Sequence, residues 1–202
     1  MLSMQLRIIA TGFILYEITG SGLSLGMLGI IQLIFQLPSI LYGGVLADFF
    51  KRTTIIVITQ LIGTVIIFLL FYLSFIDILN AWHIYIATAL LSINSTVGGP
   101  ARSALTANLV PKNLLINAVA ANTATMQIGS VLAPILFGIL TVSFGASYPL
   151  LIGSIAALVS AVSCVLIKND NYLKNENKMS PLKNIIEGFI YVKNHPILPG
   201  LY

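Results

Sequence analysis

Charge is what this sequence has least of. Only 8% of its 202 residues are Asp, Glu, Lys or Arg, against about 25% in an ordinary globular chain. So few charges cannot cover a surface that faces water, which excludes the soluble one- or two-domain protein this length would otherwise suggest. Cysteine is nearly missing: Cys164 is the single thiol, so there is no disulfide framework and no cysteine-based metal site. Within an apolar run, Cys164 reads as a small packing residue. Acidic residues number six, and none stands in the middle of a long apolar run. No metal-ligand cluster, phosphate-binding glycine loop or nucleophile arrangement is present. The sequence therefore predicts neither an enzyme nor a bound metal or cofactor.

What the chain has instead is apolar length. Hydrophobic residues make up 57% and mean hydropathy is +0.99. Long runs recur at Leu25–Ala47, Thr53–Ile76, Trp82–Val97, Asn117–Val142 and Tyr148–Ile167. About 20 apolar residues at ~1.5 Å each cross a ~30 Å hydrocarbon core. The run from Trp82 gains length if it continues through Gly98-Gly99-Pro100 to Leu109. A shorter run, Leu6–Tyr16, precedes them and covers only about 17 Å by helix rise. Five clear spans and one partial span follow.

The net charge of +4 would suit nucleic acid in a soluble chain. In a membrane chain the positions of the charges matter more, and no nucleic-acid partner is expected. Lys51 and Arg52 lie between the second and third runs, Arg102 and Lys112 between the fourth and fifth, and five lysines in the tail. The segments Glu17–Ser24, Asp77–Ala81 and Ser143–Ser147 contain neither Lys nor Arg. This alternation at every loop, read by the positive-inside rule, predicts six spans with the tail in the cytoplasm.

The expected domains are a six-helix transmembrane bundle over 1–167, its first helix lacking its beginning, and a cytoplasmic linker over 168–202. A signal peptide competes for the first stretch, but no small-x-small cleavage site stands out. In the linker, Ser180-Pro181 reads as an N-cap followed by proline at the first helical position. Leu182, Ile185, Ile186, Phe189 and Ile190 then form one apolar stripe. That helix either lies on the cytoplasmic membrane face or packs on the bundle.

Three motifs stand out. Gly43-Gly44-Val45-Leu46-Ala47-Asp48-Phe49-Phe50-Lys51-Arg52 joins a close-packing glycine to an acid and a base around a tight turn. It is either a topogenic loop or a latch built from Gly44, Asp48 and Arg52. In the fifth run, Gly129, Pro134 and Gly138 place a proline and two glycines where a membrane helix can bend, though both residues are common in such helices. Tyr16-Glu17-Ile18-Thr19-Gly20-Ser21, Pro100-Ala101-Arg102, Leu109-Val110-Pro111 and Ile186-Glu187-Gly188-Phe189-Ile190-Tyr191 complete the set.

The first motif resembles the signature loop of the major facilitator superfamily, with Phe49 and Lys51 departing from the usual basic residue and glycine. The second is similar to the fifth-helix antiporter motif of drug/proton exporters, with Ala133 and Phe137 in place of glycines. Together with the third set, they resemble the macrolide-efflux and enterobactin-exporter branch. The resemblance covers nearly the whole chain but only the first half of a twelve-helix member. It implies an all-α membrane fold whose six helices form an N-terminal half, arranged as an inverted three-plus-three repeat. Pro38–Leu46 faintly echoes Pro134–Leu140, as such a repeat requires.

The resemblance also implies a proton-driven exporter of an amphipathic organic compound, such as a macrolide, another drug or a siderophore. Its partners would be that substrate, protons, the lipid bilayer and a C-terminal half. Its place would be the bacterial inner membrane. Polar residues within spans are the candidates for lining a cavity, since facing lipid is costly: Gln32, Gln36, Asn94, Arg102, Asn122 and Gln127. For each amide the alternative is an interhelical hydrogen bond. For Arg102, pairing with Asp48 or with lipid phosphate competes. Arg7 either faces the cavity or precedes the true start of its span. His83, beside Trp82, reads as an interface anchor. Two rival readings remain: a six-helix channel or membrane domain of a multi-subunit transporter, and a truncated, non-transporting remnant.

Overall fold

The computed structural model describes residues 1–49 and 52–166, and within them all side chains except those of 40–49, 104, 107–109 and 112. Six α-helices run through these residues: α1 (Leu2–Thr19), α2 (Gly22–Phe49), α3 (Arg52–Phe75), α4 (Ala81–Leu109), α5 (Leu115–Phe144) and α6 (Tyr148–Val165). A short 3₁₀ turn, Lys112–Leu114, leads into α5. The apolar runs foreshadow every helix to within a few residues, and α4 does continue through Pro100 to Leu109. The tail helix predicted beyond Ser180 lies outside the described residues.

α1 departs most from expectation. It begins at Leu2 rather than Leu6, because polarity interrupts a hydropathy run but not a backbone ladder. Ser3, Gln5 and Arg7 are all compatible with helix. α1 ends where Gly20 adopts φ 61 and its N–H caps Tyr16 O at 2.8 Å. That left-handed conformation is one an L side chain rarely takes. α4 starts from Asn80, whose N–H donates to His83 Nδ1 at 3.1 Å. His83, expected as an interface anchor, thus also serves the helix N-terminus.

Four of the helices are long and apolar enough to cross a membrane: Gly22–Ser39 within α2, Arg52–Phe75, Leu115–Phe144 and Tyr148–Val165. α1 and α4 are less apolar because they bury polar side chains, Arg7 and Thr11 in one and Thr88 and Ser92 in the other. The core is built by α1, α3, α4 and α6. One cluster joins Ala10, Ile14 and Leu15 to Ile67, Leu70, Ile84, Leu91 and Leu150. Toward the end carrying the basic loops, Ile55, Ile56, Ala101, Leu105 and Cys164 form a second. α2 packs on α4 and α1, and α5 on α1 and α6, but both leave most of their surface open. Only Gly129 and Ala133 of α5 are buried among its described residues.

Hydroxyl groups are satisfied locally. Thr11, Thr64, Ser92, Thr96 and Ser163 each donate to the carbonyl four residues back, at 2.7–2.9 Å. In hydrocarbon an unpaired hydroxyl costs free energy, and the carbonyl of the preceding turn is always within reach. Aromatic rings collect at the opposite end from the basic loops. Trp82 meets Tyr85 edge-on at 5.9 Å, and Phe144 and Phe71 both contact Tyr148. Such rings suit a membrane–water boundary.

Candidate functional site

The Gly44–Arg52 motif lies at the basic end of the bundle. Gly44 and Asp48 belong to the last two turns of α2, and Arg52 is the first residue of α3. Phe50 and Lys51, between the helices, lie outside the described residues, as do the side chains of Gly44 and Asp48. Arg52 is half-buried and engaged by a neighbouring group.

The α5 motif is split between two surfaces. Gly129 is buried, and a Cβ added there would lie 3.6 Å from the backbone nitrogen of Leu2, an ordinary contact. With Ala133, one turn on, it forms the face that receives α1. Pro134 and Gly138 are exposed, and a Cβ at Gly138 would meet open space. Between them Phe137 touches Phe13 of α1 edge-on, with ring centroids 5.4 Å apart. Pro134 and Gly138 thus lie on the open side of α5, free of α1.

The six cavity candidates take different positions. Asn94 donates from Nδ2 to Thr59 O of α3 at 2.8 Å, so its amide is committed to helix packing. The contact is tight: a Cβ at Gly63 would stand 3.4 Å from Asn94 Nδ2, and one at Gly98 only 2.9 Å from Thr59 Oγ1. Gln32 is half-buried and Gln36 exposed on α2, Asn122 and Gln127 are exposed on α5, and Arg102 is half-buried on α4. No hydrogen bond joins any two of the six among the described residues. A small apolar groove of about 120 Å³ between α3 and α4 includes His83, Leu70 and Leu90 but none of the six.

Sequence reasoning missed two polar ties between α3 and α6. Gln60 Nε2 donates to Ser160 Oγ at 2.7 Å, and the Ser74 and Ser147 hydroxyls are 2.7 Å apart. Single polar residues in apolar runs mark such ties, but nothing in one chain's sequence pairs them. Reasoning also left Arg7 open. It lies in the second turn of α1 and is 8% exposed. On insertion scales an arginine at the centre of a span costs about 2.5–3.5 kcal/mol. Its backbone carbonyl accepts from Thr11 Oγ1 at 2.7 Å, yet no group among the described residues hydrogen-bonds or ion-pairs with its guanidinium.

The described residues form a bundle of six helices, several of them long and apolar enough to cross a membrane. Residues 1–201 match the sequence model of the Major Facilitator Superfamily, and the chain belongs to that family. An uncharacterized MFS-type transporter, YfiS of Bacillus subtilis (strain 168), is 26% identical over 178 residues, which cover 85% of this chain. The chain spans 42% of that relative's length. It is thus a membrane-embedded member of a transporter family, facing lipid with several apolar helices.

Proposed function

We propose that this chain is the N-terminal six-helix half of a secondary transporter that exports an amphipathic organic compound, coupled to protons, across a bacterial inner membrane. The observation that carries the reading is the pattern of helix packing. α2 packs on α4 as α5 packs on α1, α3 packs on α4 as α6 packs on α1, and α3 packs on α6. Exchanging each of the first three helices with its counterpart three later leaves these five pairings unchanged, while the smaller α1–α2 and α5–α6 contacts have no counterpart of like extent. An inverted three-plus-three repeat has this property, and it supports six spans although α1 and α4 are the less apolar ones.

The same pattern leaves α2 and α5 as the least covered helices, and they carry Gln32, Gln36, Asn122 and Gln127. A second six-helix half on their open sides would place these amides at the cavity between halves. Resemblance to the macrolide and enterobactin branch supports export and a drug or siderophore cargo. The linker over 168–202 would lead to that second half. The proton-carrying acid is assigned to the second half, since no Asp or Glu sits mid-span in residues 1–166.

Asp48, Arg52 and Gly44 form the latch in this reading. An anion is disfavoured at the C-terminus of its own helix and favoured at the N-terminus of the next, and a cation the reverse. Asp48 ends α2 and Arg52 begins α3, so each suits its neighbour's helix end better than its own. The pair would hold one conformation until a moving half competes for it. The α5 residues Gly129, Pro134 and Gly138 would shape the moving helix, with Pro134 bending it.

The test uses the native gene product in liposomes with an imposed pH gradient, measuring substrate-dependent proton flux with an internal dye. Wild type should show flux. Asp48→Asn and Arg52→Ala should lower it at least tenfold while inserting at wild-type levels. Unchanged flux in both variants would remove the latch role.

A further inference from the structure

We infer that Arg7 is the receptor for an anionic group on the cargo, so that the transported compound is an organic anion. This rests on the transporter reading and narrows its substrate class.

Arg7 is enclosed by the bundle, 8% exposed, between Leu6 and Ala10, which are fully buried. Thr11 of α1 and Thr88 and Ser92 of α4, a helix that packs on α1, are the other buried polar side chains of these two helices. All three can accept a hydrogen bond, but none brings negative charge. Thr11 and Ser92 spend their protons on their own helix backbone.

The acids among the described residues are too far away, and Asp170, Glu176 and Glu187 lie outside those residues. Glu17 is exposed and ten residues along α1, about 15 Å by helix rise. Asp77 is exposed beyond the end of α3. Gly12 touches Leu25 of α2, and from that shared level helix rise puts Asp48 roughly 27 Å deeper than Arg7. Arg102, another cation, lies close to the start of α1.

A guanidinium presents five N–H donors that suit a carboxylate, sulfonate or phosphate held by two bonds. Thr141 Oγ1 is the sole fully enclosed, unpartnered side-chain polar atom among the described residues. The unpartnered Arg7 nitrogens are therefore not completely enclosed. A buried permanent cation with no bonded partner among the described residues selects for negative charge and rejects cations. Two sources offer that charge, the cargo or an acidic side chain elsewhere in the native protein, and we assign it to the cargo.

The experiment measures equilibrium binding to the detergent-solubilised native gene product. Radiolabelled taurocholate and 2,3-dihydroxybenzoate are the anionic probes, and tetraphenylphosphonium is the cationic one. Wild type and Arg7→Lys should bind at least one anion and exclude the cation. Arg7→Gln should lose anion affinity at least tenfold, with an unfolding midpoint close to wild type. Arg7→Glu should lose anion binding and gain the cation. Three results would overturn the proposal: no anion bound by wild type, anion binding unchanged in Arg7→Gln, or tetraphenylphosphonium bound equally well by wild type. A large fall in stability of Arg7→Gln with wild type insensitive to added anion would assign the partner to the protein's own acid, and overturn the cargo assignment. Anion binding without transport of any probe would leave the Arg7 site standing and count against the transporter reading alone.

Discussion

Alanine at position 98 should destabilise the bundle, whereas alanine at position 99 should not. The two glycines are adjacent in α4, but only Gly98 is buried against α3. A Cβ there would stand 2.9 Å from Thr59 Oγ1 and 3.4 Å from Thr59 Cβ, while at Gly99 nothing lies within 4 Å. Thr59 cannot yield cheaply. Its hydroxyl donates to Ile56 O at 3.0 Å, and its backbone carbonyl accepts from Asn94. β-Branching also limits its χ1 in a helix.

Relief therefore needs either a rotated Thr59, at the loss of a hydrogen bond with a net value of about 1 kcal/mol, or a slight parting of α3 and α4. Overpacking of this kind costs about 1–3 kcal/mol, partly offset by up to about 1 kcal/mol from replacing glycine in a helix. Gly98→Ala should thus cost on the order of 1–2 kcal/mol, and Gly99→Ala should fall within about 0.5 kcal/mol of wild type. Thr59→Ala removes the clashing oxygen, so the double variant should recover most of the loss. Reversible unfolding of the four proteins in bicelles measures the cycle. Additivity of Gly98→Ala and Thr59→Ala to within about 0.5 kcal/mol would refute the close-approach argument.

Asn94→Leu should destabilise the bundle by about 0.6–1.7 kcal/mol, the range for interhelical hydrogen bonds in membranes; a loss of substrate affinity with unchanged unfolding would instead make Asn94 a cavity residue. Ser74→Cys combined with Ser147→Cys should form a disulfide on mild oxidation, since their hydroxyls are 2.7 Å apart. A Cys164→Ala background removes the native thiol, and the readout is reduced mobility of a protein cleaved by protease between the two positions. Absence of the cross-link at full thiol loss would contradict the α3–α6 pairing at that end.

Much of this fold is legible in the chain. Runs of apolar residues about as long as a bilayer is thick have one stable outcome, because every backbone group must be paired inside hydrocarbon. Helix positions, their number in the described residues and the alternation of basic loops therefore follow from local composition. The Gly44–Arg52 and Gly129–Gly138 motifs are equally local. The site was far less legible. Asn94, Gln36 and Gln127 look alike in sequence, as amides in apolar surroundings. Only the packing shows Asn94 bonded to α3 while Gln36 and Gln127 stand open.

The division has a physical cause. Hydropathy acts on each segment separately, so the sequence by itself determined that this is a multi-pass helical membrane protein and where its helices run. Which side of a helix meets which neighbour depends on contacts between residues far apart in the chain, such as Gln60 with Ser160 or Gly98 with Thr59. Those contacts decided that α1, α3, α4 and α6 make the core and that α2 and α5 stay open. They also decided that Arg7 is buried, where the sequence left it either facing the cavity or preceding the true start of its span. Folding buries that arginine, no group among the described residues hydrogen-bonds or ion-pairs with its guanidinium, and only the tertiary structure could reveal that.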